Sequence, residues 1–407
     1  MTPEQRAAEF DAADPLAGYR ECFNLPENVI YLDGNSLGAL PRRTLEGVSR
    51  VLQGEWGGGL IRSWNEAGWF EAPARVGAKI APLIGAGRHE VIACDSTSVN
   101  LFKLIAAALA MRPGRKVVLS EPGNFPTDLY MIAGLEVQGL AERRLAERGR
   151  LAEALDEDVA LLLLTHVHYK TGAMHDMASL TRAAHEAGAL VLWDLSHSTG
   201  ALPVDLNAAN ADFAVGCGYK YLCGGPGAPA FAFVAERHHA DLRQPLTGWF
   251  GHAAPFAFSD DYAGAPGIER MQCGTPPILG LAALEIGVDL IAEIGVGRLY
   301  EKSQALSQFF LACLRHHGVA LELVSPARSD ERGSQLSFRH PEAYAICQAL
   351  IARGVIGDFR APDVLRLGFA PAYLTFADMA AAARHLAVVL ESGEWQREEF
   401  NRRAAVT

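Results

Sequence analysis

Positive charge is scarce in this chain. Against 47 acidic residues stand 36 Lys and Arg, a formal net charge of -11, and nowhere do basic residues form a run that could follow a phosphate backbone. Nucleic acid and anionic membrane surfaces are therefore poor partners, and a small solute is the better one. Long hydrophobic runs are missing too. The longest apolar stretches, 159–167 (broken by Thr165 and His166) and 104–111, fall well short of the roughly 20 residues of a membrane span. The first twenty residues are polar and acidic where a secretory leader needs a basic start and an apolar core, so no export and no membrane partner are expected. Seven cysteines, an odd number, contain no CxxC pair and no Cys/His metal spacing. No disulfide framework is expected from that pattern, and reduced thiols in a cytoplasm fit it. What the chain has instead is core: half of its 407 residues are hydrophobic and 20% are charged.

With no repeat to guide the eye, organisation comes from periodicity and punctuation. Short apolar runs at 91–94, 116–119, 160–164, 190–193, 212–215 and 229–234 read as buried strands, separated by helical spacing at 99–111 and 177–187. This is an α/β pattern of βαβ units on a mostly parallel sheet. After Thr275-Pro276-Pro277 the pattern changes to long helical stretches reaching about 317. Strands at 335–339 and 364–369 and helices at 343–353 and 375–390 follow. We expect three parts: an arm at 1–45 with little periodicity, laid on the other domains; a large α/β domain at 46–275; and a smaller α+β domain at 276–407.

Ligands of doubly wound sheets bind beyond the carboxyl ends of the strands, so polar residues just after apolar runs are the ones to inspect. The run 190–193 delivers Asp194, followed by Ser196-His197-Ser198-Thr199-Gly200. The next strand-like run ends in Gly216-Cys217-Gly218-Tyr219-Lys220, 26 residues beyond Asp194. Only six lysines exist. Lys79, Lys103 and Lys302 lie in helical segments, Lys116 opens a strand and Lys170 sits in a loop, which leaves Lys220 alone in a glycine-rich turn. An amine and a carboxylate emerging from successive strand ends suit pyridoxal 5′-phosphate (PLP): the amine binds the aldehyde as a Schiff base, and the acid keeps the pyridine nitrogen protonated. Either residue alone would read as a helix cap or a solvated lysine; the pair, in this order, does not.

A cofactor phosphate needs backbone N–H groups at a helix start. Asp95-Ser96-Thr97-Ser98, between a strand-like run and a helix near Val99, would offer them together with hydroxyls. Phe125, in Asn124-Phe125-Pro126-Thr127-Asp128, could stack on a flat ring. Trp249 in Gly248-Trp249-Phe250-Gly251-His252 and Thr275 in Cys273-Gly274-Thr275-Pro276-Pro277 lie in loops from which a large aromatic and a hydroxyl could reach a ligand. A rival starts from histidine. Thr165-His166-Val167-His168 is similar to the HxH zinc pair of barrel metallohydrolases, with Asp194 and His197 as further ligands, but that reading leaves Lys220 and its glycines unexplained.

Taken together, the chain resembles the kynureninases, PLP enzymes of the aminotransferase-like fold type I, over nearly its whole length. The resemblance rests on Tyr31-Leu32-Asp33-Gly34-Asn35-Ser36-Leu37-Gly38, the Asn124 to Asp128 block, Trp193-Asp194-Leu195-Ser196-His197-Ser198 and Gly216 to Leu222. It continues through Gly224-Gly225-Pro226-Gly227-Ala228-Pro229, and the Trp-Phe-Gly-His and Cys-Gly-Thr-Pro-Pro blocks make it specific to this family. It implies that Lys220 carries PLP, Asp194 pairs with the pyridinium and Phe125 stacks on the ring. Thr97, Ser98, Tyr219 and, from the neighbouring subunit of a homodimer, Trp249 and Thr275 would surround the phosphate. Asp128, Thr165 and His197 would lie near the ring. Arg366, in Val364-Leu365-Arg366-Leu367-Gly368-Phe369, would grip the substrate α-carboxylate with a bidentate guanidinium. The implied reaction is hydrolytic Cβ–Cγ cleavage of L-kynurenine to anthranilate and L-alanine, with Tyr219 as proton donor to the β-carbon. Gly274-Thr275, where animal relatives carry Ser-Asn, implies the bacterial type and unhydroxylated kynurenine. Cys223, just past Tyr221-Leu222, raises a cysteine desulfurase as runner-up within the same fold.

Overall fold

The computed structural model describes residues 1–403. Seven strands build the central sheet: β1 (Val91–Ala93), β2 (Val117–Ser120), β3 (Glu142–Leu145), β4 (Val159–Thr165), β5 (Leu190–Asp194), β6 (Phe213–Gly216) and β7 (Phe231–Val234). Their spatial order is β1-β7-β6-β5-β4-β2-β3, parallel except for β7, which runs antiparallel to both its neighbours. Strands β4, β5 and β6 are buried along their whole length, which is why each reads as an unbroken apolar run. Helices α2 (Thr97–Met111), α3 (Pro126–Val137) and α4 (Met177–Glu186) pack around the sheet, and apolar clusters fill both of its faces.

The sequence reading anticipates six of these strands to within a few residues and misses β3. Its Glu-Arg-Arg-Leu sequence is charged and largely exposed because it closes the sheet edge, where charge discourages pairing with another chain. Helix α2 starts at Thr97, two residues before the expected 99, because Ser96 caps it by accepting a hydrogen bond from the Val99 N–H at 3.3 Å.

Beyond α5 (Ile278–Ile294) and α6 (Val296–His316), a second sheet forms from β8 (Glu322–Leu323), β9 (Gln335–Arg339), β10 (Asp358–Arg360) and β11 (Val364–Gly368). Its order is β8-β9-β11-β10, all antiparallel. The register sets Asp358 directly opposite Arg366. Helices α7 (Ala343–Ala352) and α8 (Phe376–Ser392) complete this part.

The first 45 residues hold an element that the sequence reading did not anticipate. Pro3–Ala12 is a helix, α1, begun by a capping box in which Thr2 and Gln5 bond reciprocally and Pro3 opens the first turn. Its Phe10 packs on Phe309 and Phe376, and its Asp11 carboxylate accepts from the Phe376 and Ala377 N–H groups that begin α8. The later part of this segment runs behind the lysine turn: the Gly38 N–H donates to the Tyr219 carbonyl at 2.8 Å. A Cβ on Gly38 would come within 2.2 Å of the Lys220 carbonyl oxygen, so only glycine allows this approach.

At the far end of β5 and β6 a single carboxylate ties the layers together. Buried Asp212 accepts from the Val191 N–H (2.8 Å) and Arg237 (2.8 Å) and contacts the rings of His185 (2.8 Å) and His238 (2.7 Å). Although burial raises it, the two histidine partners prevail and hold its carboxyl well below the usual range. Asp212→Asn should therefore destabilise the fold by about 3 kcal/mol at neutral pH in denaturant titrations. Because the folded carboxyl is depressed, its contribution is complete above the ordinary carboxylate pKa of about 4 and fades as the pH falls from there. A variant as stable as the wild type at pH 7 would rule out this tie.

Candidate active site

Three neighbouring strand ends converge on one cavity of about 300 Å³. Thr165 and Asp194 are the last residues of β4 and β5 and sit opposite each other in the parallel register. Lys220 comes from the turn after β6. Thr97, Ser98, Phe125, Thr165, Asp194, His197, Tyr219 and Lys220 all line this cavity, so eight of the twelve expected site residues meet there. Asp128 lies just behind, accepting from the Thr165 hydroxyl at 3.0 Å.

Charge dominates the cavity floor. The Lys220 ammonium is buried, with Nζ 3.0 Å from His197 Nε2 and 5.7 Å from the centroid of Phe125. Burial pushes Asp194 above the usual carboxylate range, while the Ser196 N–H (2.7 Å) and Lys220 pull the other way. Burial raises Asp128 well above its usual value, and the charge of Asp194 adds to that. His197 is driven well down by burial and then by Lys220, so its imidazole is neutral. Burial also keeps the Tyr219 phenol protonated.

Two buried polar atoms here lack any partner, Asp128 Oδ1 and His197 Nδ1. Orphaned polar atoms at a cavity call for a polar occupant. The residues fit PLP on each count: a buried amine, a carboxylate one strand away, a flat aromatic and the N-terminus of a 15-residue helix flanked by Ser96, Thr97 and Ser98. Asp95, at φ +50°, turns the chain sharply into that helix, and the buried Lys103 ammonium holds its carboxylate at 2.5 Å.

The remaining expected residues lie apart. Thr275 is exposed and lines an adjacent cavity of about 360 Å³, shared with Ser96, Thr97 and Tyr219. Trp249 lies outside both cavities, packed edge-on against Phe250 at 4.7 Å. Arg366 is not a solvated strand residue. It is 1% exposed on β11, paired with Asp358, and reaches the cavity wall through the Tyr169 carbonyl, to which Nη1 donates at 2.7 Å. Tyr169 is a wall residue that the sequence reading missed, set edge-on to Phe125 at 5.2 Å. Its position directly after the apolar run and HxH was the available signal.

A family model described as the kynureninase C-terminal domain matches residues 299–386. A curated kynureninase from Burkholderia mallei (strain SAVP1) is 50% identical, and one from Pseudomonas fluorescens 48%, each over 100% of both chains. The chain belongs to the kynureninase family. Similarity in fold extends to the apo structure of a cysteine desulfurase from Thermococcus onnurineus NA1, with a TM-score of 0.80 at 19% identity over 92% of this chain and 98% of that one. A C-DES mutant with glycine covalently linked to its PLP cofactor gives 0.79 at 16% identity over 90% and 98%. The architecture is accordingly that of PLP fold type I.

Membership of the kynureninase family leaves the two rival readings without support, and the geometry shows why. His166 and His168 do not form a metal pair: His166 Nδ1 bonds the Ser198 hydroxyl at 2.9 Å, whereas His168 Nε2 meets the Gly123 carbonyl at 2.9 Å. Burial moves His166 down to about 4. Cys223 cannot serve as the mobile thiol of a desulfurase, since it is buried under Gly38 and burial pushes its thiol up to about 12. A disulfide reagent at pH 8 should therefore leave Cys223 unmodified in the native enzyme, as read by peptide mass spectrometry. Rapid labelling of Cys223 in folded protein would contradict this.

Proposed function

We propose that this chain is a PLP-dependent kynureninase that cleaves the Cβ–Cγ bond of L-kynurenine by hydrolysis, giving anthranilate and L-alanine. The observation that carries the assignment of its active residues is the meeting of the Lys220 amine and the Asp194 carboxylate, from successive strand ends, in one cavity. PLP, when bound, supplies a protonated ring that takes up the electron pair left as the substrate Cα–H bond breaks.

The side chains divide the remaining work. Lys220 Nζ would hold the cofactor through its aldehyde, and the same nitrogen is placed to act as the base for the substrate Cα proton. Neutral His197 can accept a hydrogen bond from that nitrogen and so orient it. Asp194, held by the Ser196 N–H, keeps a proton on the ring nitrogen. Thr97, Ser98 and the first turn of α2 would hold the phosphate, and Phe125 would cover the ring. Water adds at the γ-carbonyl of kynurenine, the Cβ–Cγ bond breaks as the hydrate gives up a proton, and the protonated Tyr219 hydroxyl, next to the lysine in sequence, gives its proton to the β-carbon and regains one from the hydrate, while Lys220 returns a proton to Cα. Arg366 meets the α-carboxylate.

We further infer a homodimer in which the partner's copies of Trp249 and Thr275 reach this cavity. Exposed apolar side chains support it, Trp56, Leu60 and Ile61 in one segment and Trp249, Phe256 and Phe258 in another, beyond what isolated surface residues account for. At the Gly274-Thr275 loop an added hydroxyl on the aryl ring would meet no side chain from Gly274, which favours unhydroxylated kynurenine. The seven free cysteines support a cytoplasmic setting.

Borohydride reduction tests the core of this reading. In wild-type enzyme it should fix labelled PLP on Lys220, and Lys220→Ala should lose both that linkage and anthranilate release. Label on another lysine, or turnover retained in the variant, would overturn the assignment.

A further inference from the structure

The resemblance gives the substrate carboxylate a single free arginine fork, and the geometry does not supply one. Arg366 Nε donates to Asp358 Oδ1 at 2.8 Å, and Nη2 donates to Asp358 Oδ2 and to the Ser36 hydroxyl (2.7 Å). Nη1 spends one hydrogen on the Tyr169 carbonyl. Of five N–H groups, one on Nη1 is left, enough for one carboxylate oxygen.

A second guanidinium stands beside it. Arg360 lies two residues after Asp358 on β10, so both point to the same face of the sheet as the facing Arg366. Its Nη2 donates to Asp358 Oδ2 at 2.6 Å and to the Ser36 hydroxyl at 3.2 Å, while its buried Nε has no partner. Next to it, the Ala361 carbonyl accepts from Lys170 Nζ at 2.9 Å, which fastens this end of β10 to the loop carrying Tyr169 and hence to the cavity wall. Charge is unbalanced as well. Two guanidinium groups face the single carboxylate of Asp358, and Asp33, the other acid here, is pushed up to about 7 by burial and by Asp358, so it only half compensates near neutral pH. The cluster is left with positive charge that a bound anion would offset.

We infer that Arg360 is a second arginine of the carboxylate subsite, taking one oxygen of the substrate α-carboxylate while Arg366 takes the other, and that Asp358 is the positioning residue that holds both. This rests on the proposed reading of Arg366. A purely structural Arg360, present only to neutralise Asp358, would make no distinction between ligands with and without a carboxylate, and the test uses that difference.

Holoenzyme is titrated with L-alanine and with L-alaninamide, following the cofactor's visible absorption, and KM and kcat are measured with L-kynurenine. In Arg360→Gln, KM for kynurenine and Kd for alanine should rise roughly 10- to 100-fold, with kcat within about threefold and the affinity for alaninamide within about twofold. Arg360→Lys keeps charge without the fork and should recover part of the loss. Arg366→Ala, run alongside, should also weaken alanine selectively. If Arg366→Ala does so and Arg360→Gln leaves alanine and kynurenine unchanged, or weakens alanine and alaninamide equally, the role of Arg360 is refuted while Arg366 stands. If Arg366→Ala leaves alanine affinity unchanged, the carboxylate site itself has been misplaced and both readings fall.

Discussion

Everything in this fold is arranged around keeping unlike charges buried together at the ends of three adjacent strands. A carboxylate or ammonium taken out of water loses several kcal/mol unless partners replace the solvent. Asp194 and Lys220 lie within one cavity, with Asp128, His197 and Tyr219 around them. Their environment decides their protonation: the two acids are raised, the imidazole is kept neutral and the phenol is kept protonated. Groups whose proton affinities are pushed apart in this way can share out the holding and moving of protons.

The scaffold supplies the rigidity this requires. Parallel strands β4 to β6, buried on both faces, fix three strand ends relative to one another. Behind the lysine turn, the segment around Gly38 fits so closely that no side chain is tolerated, and this ties the first part of the chain to the backbone of Tyr219 and Lys220. The second sheet approaches from the other side. Its Asp358 and Arg366, each 1% exposed and opposed across β10 and β11, meet Ser36 from that same early segment and Tyr169 from the loop after β4. The proposed carboxylate subsite thus sits where three separate stretches of chain join.

The sequence is legible where one local rule decides the outcome. Unbroken apolar runs with no polar face read as strands buried on both faces, and the order of Asp194 and Lys220 after two of them points to the cavity. It is less legible where distant partners decide. Strand β3 carries Glu142, Arg143 and Arg144 because it is an edge, and β10 is three residues long, so neither shows apolar periodicity. Helix α1 announces itself only by the Thr2 and Gln5 capping pair. Lys103 reads as an ordinary helical lysine, yet it is fully buried and holds the Asp95 turn. The fork of Arg366 looks free in sequence because nothing local reveals that Asp358 lies across from it.

On the proposed reading, Asp194 keeps the cofactor ring nitrogen protonated inside this buried cavity. Nitrogen NMR of the enzyme loaded with PLP labelled with ¹⁵N in the ring measures that proton directly. A pyridinium shift that persists from pH 6 to about 9 in wild-type enzyme, and moves to the unprotonated position in Asp194→Ala, is the expected result. A ring nitrogen that is unprotonated at neutral pH in the wild type, or one whose shift does not respond to loss of Asp194, would contradict it.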